Sequence, residues 1–185
     1  RPPPSCSGTS DMSDTEDAAT TAADDTVEAA AEMHGCPVTD SRGQVVLHPT
    51  REQYVDVVKA LADEGYAMCA DLTAVDYLDY MHRPLPPGID AGRFEVVVNL
   101  LDVTHRRRIR VRVQVPADEA VIPTLFDVHP GTEAFEREVF DMFGVEFSDH
   151  PDPSRILMPE DWIGHPLRKD YDVGQIPVQF KGANS

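Results

Sequence analysis

The stretch RFEVVVNLLDVTHRRRIRVRVQV (Arg93–Val115) decides the fold. It holds two β-rich runs, RFEVVVNLL and RRIRVRVQV, separated by DVTHR, and so predicts a hairpin. In the second run Ile109, Val111, Val113 and Val115 alternate with Arg108, Arg110, Arg112 and Gln114. A period of two sends one row into a core and leaves the other as a stripe of arginines on the opposite face. Two readings of that stripe stand. It is a solvated outer face balanced by nearby acids, or it is a docking surface for an acidic partner, since the guanidinium fork matches carboxylates. Nucleic acid is disfavoured, because no aromatic is interleaved and the net charge of the chain is −17.

The remaining elements extend outward from this hairpin. QVVLH (Gln44–His48) reads as a short strand. The run from Pro49 to Gly65 reads as a helix, with capping-box spacing at Thr50 and Gln53, a face of Tyr54, Val58 and Leu61, and Gly65 as its stop. YAMCADLTAVDY (Tyr66–Tyr77) is a strand running into a turn, followed by a Pro/Gly loop. A short helix is expected around Pro123. EAFEREVFDMF (Glu133–Phe143) is the second main helix, capped by Thr132 and ended by Gly144.

These elements predict an α+β domain over residues 44–151, with a mixed or antiparallel sheet of about four strands packed with two main helices. Residues 1–43 are expected to be a disordered acidic tail, since eight acids and one base fall in the first 35 residues. The chain opens on Arg1, and Met12 is expected to be the true start. Residues 152–185 carry repeated prolines and no amphipathic period, yet include Ile156, Leu157, Trp162, Ile163, Leu167 and Tyr171. They are expected to form an extended arm lying on another surface, with Trp162 as its anchor.

Within the second helix Phe135, Val139, Phe140, Met142 and Phe143 make one apolar arc, and Glu136 falls inside it. A carboxylate there is a catalytic acid, a metal ligand or half of a buried ion pair. The polar groups around it in sequence are cations, Arg137, Arg155, Arg168 and Lys169, which favours an ion pair, with Arg155 first. Cys6, Cys36 and Cys69 are odd in number and widely spaced, against a disulfide framework, zinc or iron–sulfur ligation. His150-Pro151 and His165-Pro166 suit loop fixing better than metal binding. No nucleophile motif, phosphate loop or membrane-length apolar run occurs.

EREVFDMFGVEFSDHPDPSRILMPEDWIGHPLRKDY (Glu136–Tyr171) resembles the signature of the 30-kDa subunit family of respiratory complex I, whose bacterial members are the C subunits of NADH-quinone oxidoreductase. The segments that carry the likeness include Glu136, Arg137, Glu138, Asp141, His150, Arg155, Trp162, His165, Arg168, Lys169 and Tyr171, and DLTAVDY and the hairpin also fit. One departure is Pro153-Ser154, where the family usually has Leu-Arg. The resemblance implies a non-catalytic, cofactor-free peripheral-arm subunit, inactive in isolation. It would support the quinone-binding module during electron transfer from NADH to quinone coupled to proton translocation. FMN and iron–sulfur clusters would lie in other subunits. Its expected partners are the 49-kDa-type subunit and the terminal-cluster subunit, on the cytoplasmic side of the bacterial membrane, which it meets only through the complex. A homologous subunit of a membrane-bound hydrogenase or F420-linked dehydrogenase is the alternative.

Overall fold

The computed structural model describes residues 31–172. Its centre is the expected hairpin. Strand β5 (Phe94–Asp102) pairs antiparallel with β6 (Arg107–Val115) in an unbroken register from Phe94↔Val115 to Asp102↔Arg107. β4 (Met68–Asp76) flanks β5, and β3 (Val45–Leu47) lies parallel to β6. β1 (Glu32–Met33) and β2 (Cys36–Asp40) complete a six-stranded mixed sheet in the order β1-β2-β3-β6-β5-β4. The period of two in the hairpin makes the core. Val96, Val98 and Leu100 on β5 and Ile109, Val111 and Val113 on β6 are all buried.

Two helices close this core. α1 (Tyr54–Asp63) contributes Tyr54, Val57, Val58 and Leu61, one turn apart. Its entry is a reciprocal capping box: Gln53 Oε1 accepts from the Thr50 N–H at 3.1 Å, and Thr50 Oγ1 accepts from the Gln53 N–H at 3.4 Å. α2 (Glu133–Phe143) buries Val139, Met142 and Phe143. It ends at Gly144, whose φ of 68° is left-handed, and a Cβ there would run into Arg168 and His165.

Four sequence expectations change. Strands β1 and β2 fall inside the expected tail, so order begins well before residue 44. The acidic composition hid them, but Cys36 is fully buried and Val38–Asp40 pairs with Val45–Leu47. The main sheet has six strands rather than four. Val121–Pro123 is a strand, β7, which pairs parallel with β8 (Glu146–Ser148). The fixed φ of Pro123 suits a strand end as well as a first helical turn, and burial of Ile122 decides between them. Thr132 makes no side-chain cap at α2, because its hydroxyl has another partner. Met12, the acidic segment through residue 30 and the end of the arm from residue 173 lie outside the described residues.

Candidate functional site

Glu136 is fully buried, as its place in the apolar arc predicts, but its partners are not arginines. Its Oε1 accepts from the Leu125 N–H at 2.8 Å and lies 3.0 Å from the Thr132 hydroxyl. The Thr124 hydroxyl donates to Oε2. His150 Nδ1 accepts from the Asp152 N–H, so the ring proton sits on Nε2, 3.2 Å from the Glu133 carbonyl and 3.8 Å from Glu136 Oε2. Among the described residues no arginine pairs with Glu136. Burial pushes its carboxyl up, against the opposing donors Thr124, Leu125 and Thr132 and the nearby His150. Both oxygens are occupied and the side chain is fully buried, at the wall of a hollow of about 270 Å³ that Arg137, Phe140, Phe147 and His150 also line. Glu136 ties the start of α2 to the turn after β7.

The expected partner, Arg155, goes instead to Asp141, five residues further along the helix. Asp141 is also fully buried, and Arg155 reaches its Oδ1 at 2.5 Å. Its Oδ2 accepts from three successive backbone N–H groups of the arm, at 3.2 Å from Ile156 and 2.8 Å from both Leu157 and Met158. Burial pulls this carboxyl up, yet the Met158 N–H, Arg155 and the Leu157 and Ile156 N–H groups together hold it below the usual carboxylate range. Sequence periodicity marked Glu136 as the odd residue. The more consequential carboxylate sits beside it, visible beforehand only as a member of the family segment.

Around Asp141 the arm is fastened to its own domain. Arg137 donates to the Ser154 carbonyl at 3.1 Å, to Ser154 Oγ at 2.9 Å and to the Arg155 carbonyl at 3.1 Å, and it pairs with Glu133 and Asp152. The Pro153-Ser154 departure therefore lies inside this fastening. His165 Nδ1 meets the Asp141 carbonyl at 3.0 Å, and Arg168 donates to the Phe143 and Gly144 carbonyls at the end of α2. The Arg168 guanidinium compensates the negative end of the helix. The Lys169 N–H donates to Asp76, and Arg93 bridges Asp76 and Asp170. Tyr171 packs over Gly164 and is half-buried. Asp76, Arg93 and Asp170 were missed because their contacts span up to 93 residues of chain.

Through residue 172 the arm thus lies on its own domain rather than only on another surface. Trp162 is half-buried, with its indole N–H enclosed and without a partner among the described residues. The outward apolar groups are Ile163 at 89% exposure, Leu157 at 59% and Leu167 at 51%. Glu138 is solvent-exposed on α2 and makes no ion pair among the described residues.

The arginine stripe also divides. Arg112 pairs with buried Glu95 at 2.7 Å, which Gln114 joins from the same strand. Arg107, off the stripe's row, pairs with Asp102 at 2.7 Å. Arg110 meets only the neutral Asn99 at 3.0 Å, and Arg108 is exposed without a carboxylate. Among the described residues no group of three or more His, Cys, Asp or Glu could hold a metal ion, and no helix is long and apolar enough to cross a membrane.

A family profile described as "Respiratory-chain NADH dehydrogenase, 30 Kd subunit" matches residues 47–176. The C subunit of the NADH-quinone oxidoreductase of Salinispora tropica is 40% identical over 149 residues, 79% of this chain and 57% of that protein. The protein of the same name from a Nocardioides species is 41% identical over 160 residues, 85% of this chain and 60% of that protein. The chain therefore spans less than two thirds of the length of these relatives. Among solved structures, the trypsin-resistant fragment (1-134) of Nqo5 superposes with a TM-score of 0.56 at 32% identity, over 64% of this chain and 89% of that one. A chain of the membrane-bound sulfane sulfur reductase, an archaeal respiratory membrane complex, shares the fold with a TM-score of 0.57 at 24% identity, over 75% of this chain and 78% of that one.

Proposed function

The chain belongs to the family of the 30-kDa subunit of respiratory-chain NADH dehydrogenase, and from that premise we propose that it is a non-catalytic peripheral-arm subunit of an NADH-quinone oxidoreductase. In this role it supports the quinone-binding module while NADH is oxidised and protons are translocated. FMN and the iron–sulfur clusters reside in neighbouring subunits. The chain docks against the 49-kDa-type and terminal-cluster subunits on the cytoplasmic side of the membrane, without touching the bilayer itself.

The observation that carries this reading is the arm. It is pinned to the domain by Asp141 and Arg155, yet it turns Leu157, Ile163 and Leu167 outward. A pinned backbone loses little further entropy when those side chains enter a partner's pockets. The two carboxylates that burial singles out are enclosed by structural donors, in keeping with a subunit whose work is assembly.

The test is capture of the other subunits by the tagged full chain from cells that lack the native copy. Ile163→Asp with Leu167→Asp is expected to abolish capture while leaving the thermal transition of the chain in place. Full capture by this variant overturns the arm as the docking element. NADH:quinone turnover by the purified chain alone overturns the non-catalytic role.

A further inference from the structure

Seven arginines among the described residues form ion pairs with carboxylates: Arg51, Arg83, Arg93, Arg107, Arg112, Arg137 and Arg155. Of those that do not, Arg168 serves helix carbonyls, and the other four converge. Arg42, Arg106, Arg108 and Arg110 border one open hollow of about 710 Å³, together with Ser41, Gly43 and Gln44. The parallel pairing of β3 with β6 brings them together, because it sets the β2–β3 turn beside the turn end of the β5–β6 hairpin. The nearby carboxylate of Asp40 accepts from the Gly43 N–H at 2.9 Å and pairs with none of them. The side-chain nitrogen of Gln44, on the same hollow, is buried without an acceptor among the described residues. Four cations and an unanswered amide donor in a chain of net charge −17 mark a site built for carboxylates.

The strand at the sheet edge points to the source of those carboxylates. β1 runs antiparallel to β2, with Glu32 opposite Pro37 and Met33 opposite Cys36. The Val38 N–H donates to the Ala31 carbonyl at 2.8 Å, so the pairing still holds at the first described residue. The antiparallel direction of this pairing points the start of β1 towards the Asp40 end of β2 and the turn at Ser41–Gln44. Val38 to Arg42 is roughly 13 Å at about 3.3 Å per residue, a span that four extended residues ahead of Ala31 cover. Upstream of Ala31 come seven carboxylates between Asp11 and Glu28 and no base in that span.

We propose that the acidic segment Asp11–Glu28 of this chain docks on the hollow formed by Arg42, Arg106, Arg108 and Arg110. Tethering supplies a high effective concentration, so even modest exposed ion pairs hold the segment in place. The strand face left without acids of its own is thereby neutralised from within the chain. A partner that approaches this face meets carboxylates rather than bare guanidinium groups.

Paramagnetic NMR on the full chain tests this. A spin label is placed at Ala18→Cys, with Cys6 and Cys69 changed to Ser. At about 10 mM salt, where the Debye length is about 30 Å, amide intensities at Arg42, Gly43 and Arg108 are expected to fall about twofold below those of the same labelled chain with all seven acids changed to amides. About 1 M salt, where the Debye length is about 3 Å, is expected to remove the difference. Arg106→Asn with Arg108→Glu is expected to remove it as well; Asn is chosen because it tolerates the left-handed backbone at residue 106. Equal intensities in the acidic and amidated chains at low salt overturn the proposal and leave the hollow to a partner's carboxylates. The readout involves no other subunit, so it fails or succeeds independently of the docking role of the arm.

Discussion

Helix α2 buries two carboxylates completely, one in its first turn and one in its last, and the chain treats them in opposite ways. Glu136 is met by neutral donors from nearby sequence, Thr124, Leu125 and Thr132. The positive end of the helix lies beside it. Asp141 sits at the unfavourable, negative end, and is met by a guanidinium and three N–H groups from the arm. Neither is exposed to solvent, but Glu136 lies deeper, and the donors differ in charge and origin. The carboxyl of Glu136 is consequently raised and that of Asp141 lowered. One is an internal knot of the domain. The other fastens a segment more than a dozen residues away, and that segment carries the outward apolar groups.

The sharpest way to break this contrast is Asp141→Ala. Removing it strands Arg155 and three backbone donors, and unpairing a buried ion pair costs about 3–5 kcal/mol. Urea unfolding followed by far-UV circular dichroism measures this. Emission of the sole tryptophan, Trp162, is expected to shift to the red as the arm lifts. A loss below about 1 kcal/mol with unchanged emission would show that the arm is held by other contacts.

Glu136→Ala is expected to cost less, about 1–3 kcal/mol, since it leaves neutral donors unanswered, and to leave Trp162 emission alone. Glu136→Gln is expected to cost under about 1 kcal/mol, because the amide oxygen still accepts from Leu125 and Thr132. A loss for the Gln variant as large as for Ala would restore a role for the negative charge itself.

The two ends also separate by pH. The folded value of Asp141 is depressed, so its stabilisation is present above its unfolded value near 3.9 and is lost as pH falls through its folded value. That of Glu136 is raised, so the ionised form opposes folding, and stability from this group grows as pH falls through the folded value towards about 4.3. Asp141→Asn should flatten the acid-side loss of stability, whereas Glu136→Gln should flatten the slope just above about pH 4.3. Chemical denaturation across pH 3–7 reads both. Matching slopes in the two variants would erase the distinction.

The smallest expected effect is at the departure from the family pattern. Ser154→Ala removes one hydrogen bond to Arg137 and is expected to lower stability by about 0.5–1 kcal/mol, leaving the two carbonyl contacts of Arg137 in place. A loss comparable to that of Asp141→Ala would move the main fastening of the arm from Asp141 to Arg137.

What the sequence determined by itself is what backbone periodicity controls. The alternation in Arg107–Val115 places Ile109, Val111 and Val113 in the core, the spacing of Tyr54, Val58 and Leu61 makes α1, and the arc of α2 forces Glu136 inward. These follow from geometry within a few residues, so they are legible without knowing where the chain goes next. The family signature added the identity of the segments around Asp141, His165 and Arg168. Which cation meets which acid was decided only by tertiary structure. Arg155 was equally available to Glu136 and Asp141 in sequence, and the path of residues 155–158 along the last turn of α2 assigns it to Asp141. The arginine stripe looked uniform, but Arg112 finds Glu95 across the sheet, while Arg108 and Arg110 join Arg42 through a parallel pairing of β3 and β6. The physical reason is that a buried charge takes the partner that the folded path delivers within hydrogen-bond reach, and that path is fixed by packing across many residues rather than by any local period.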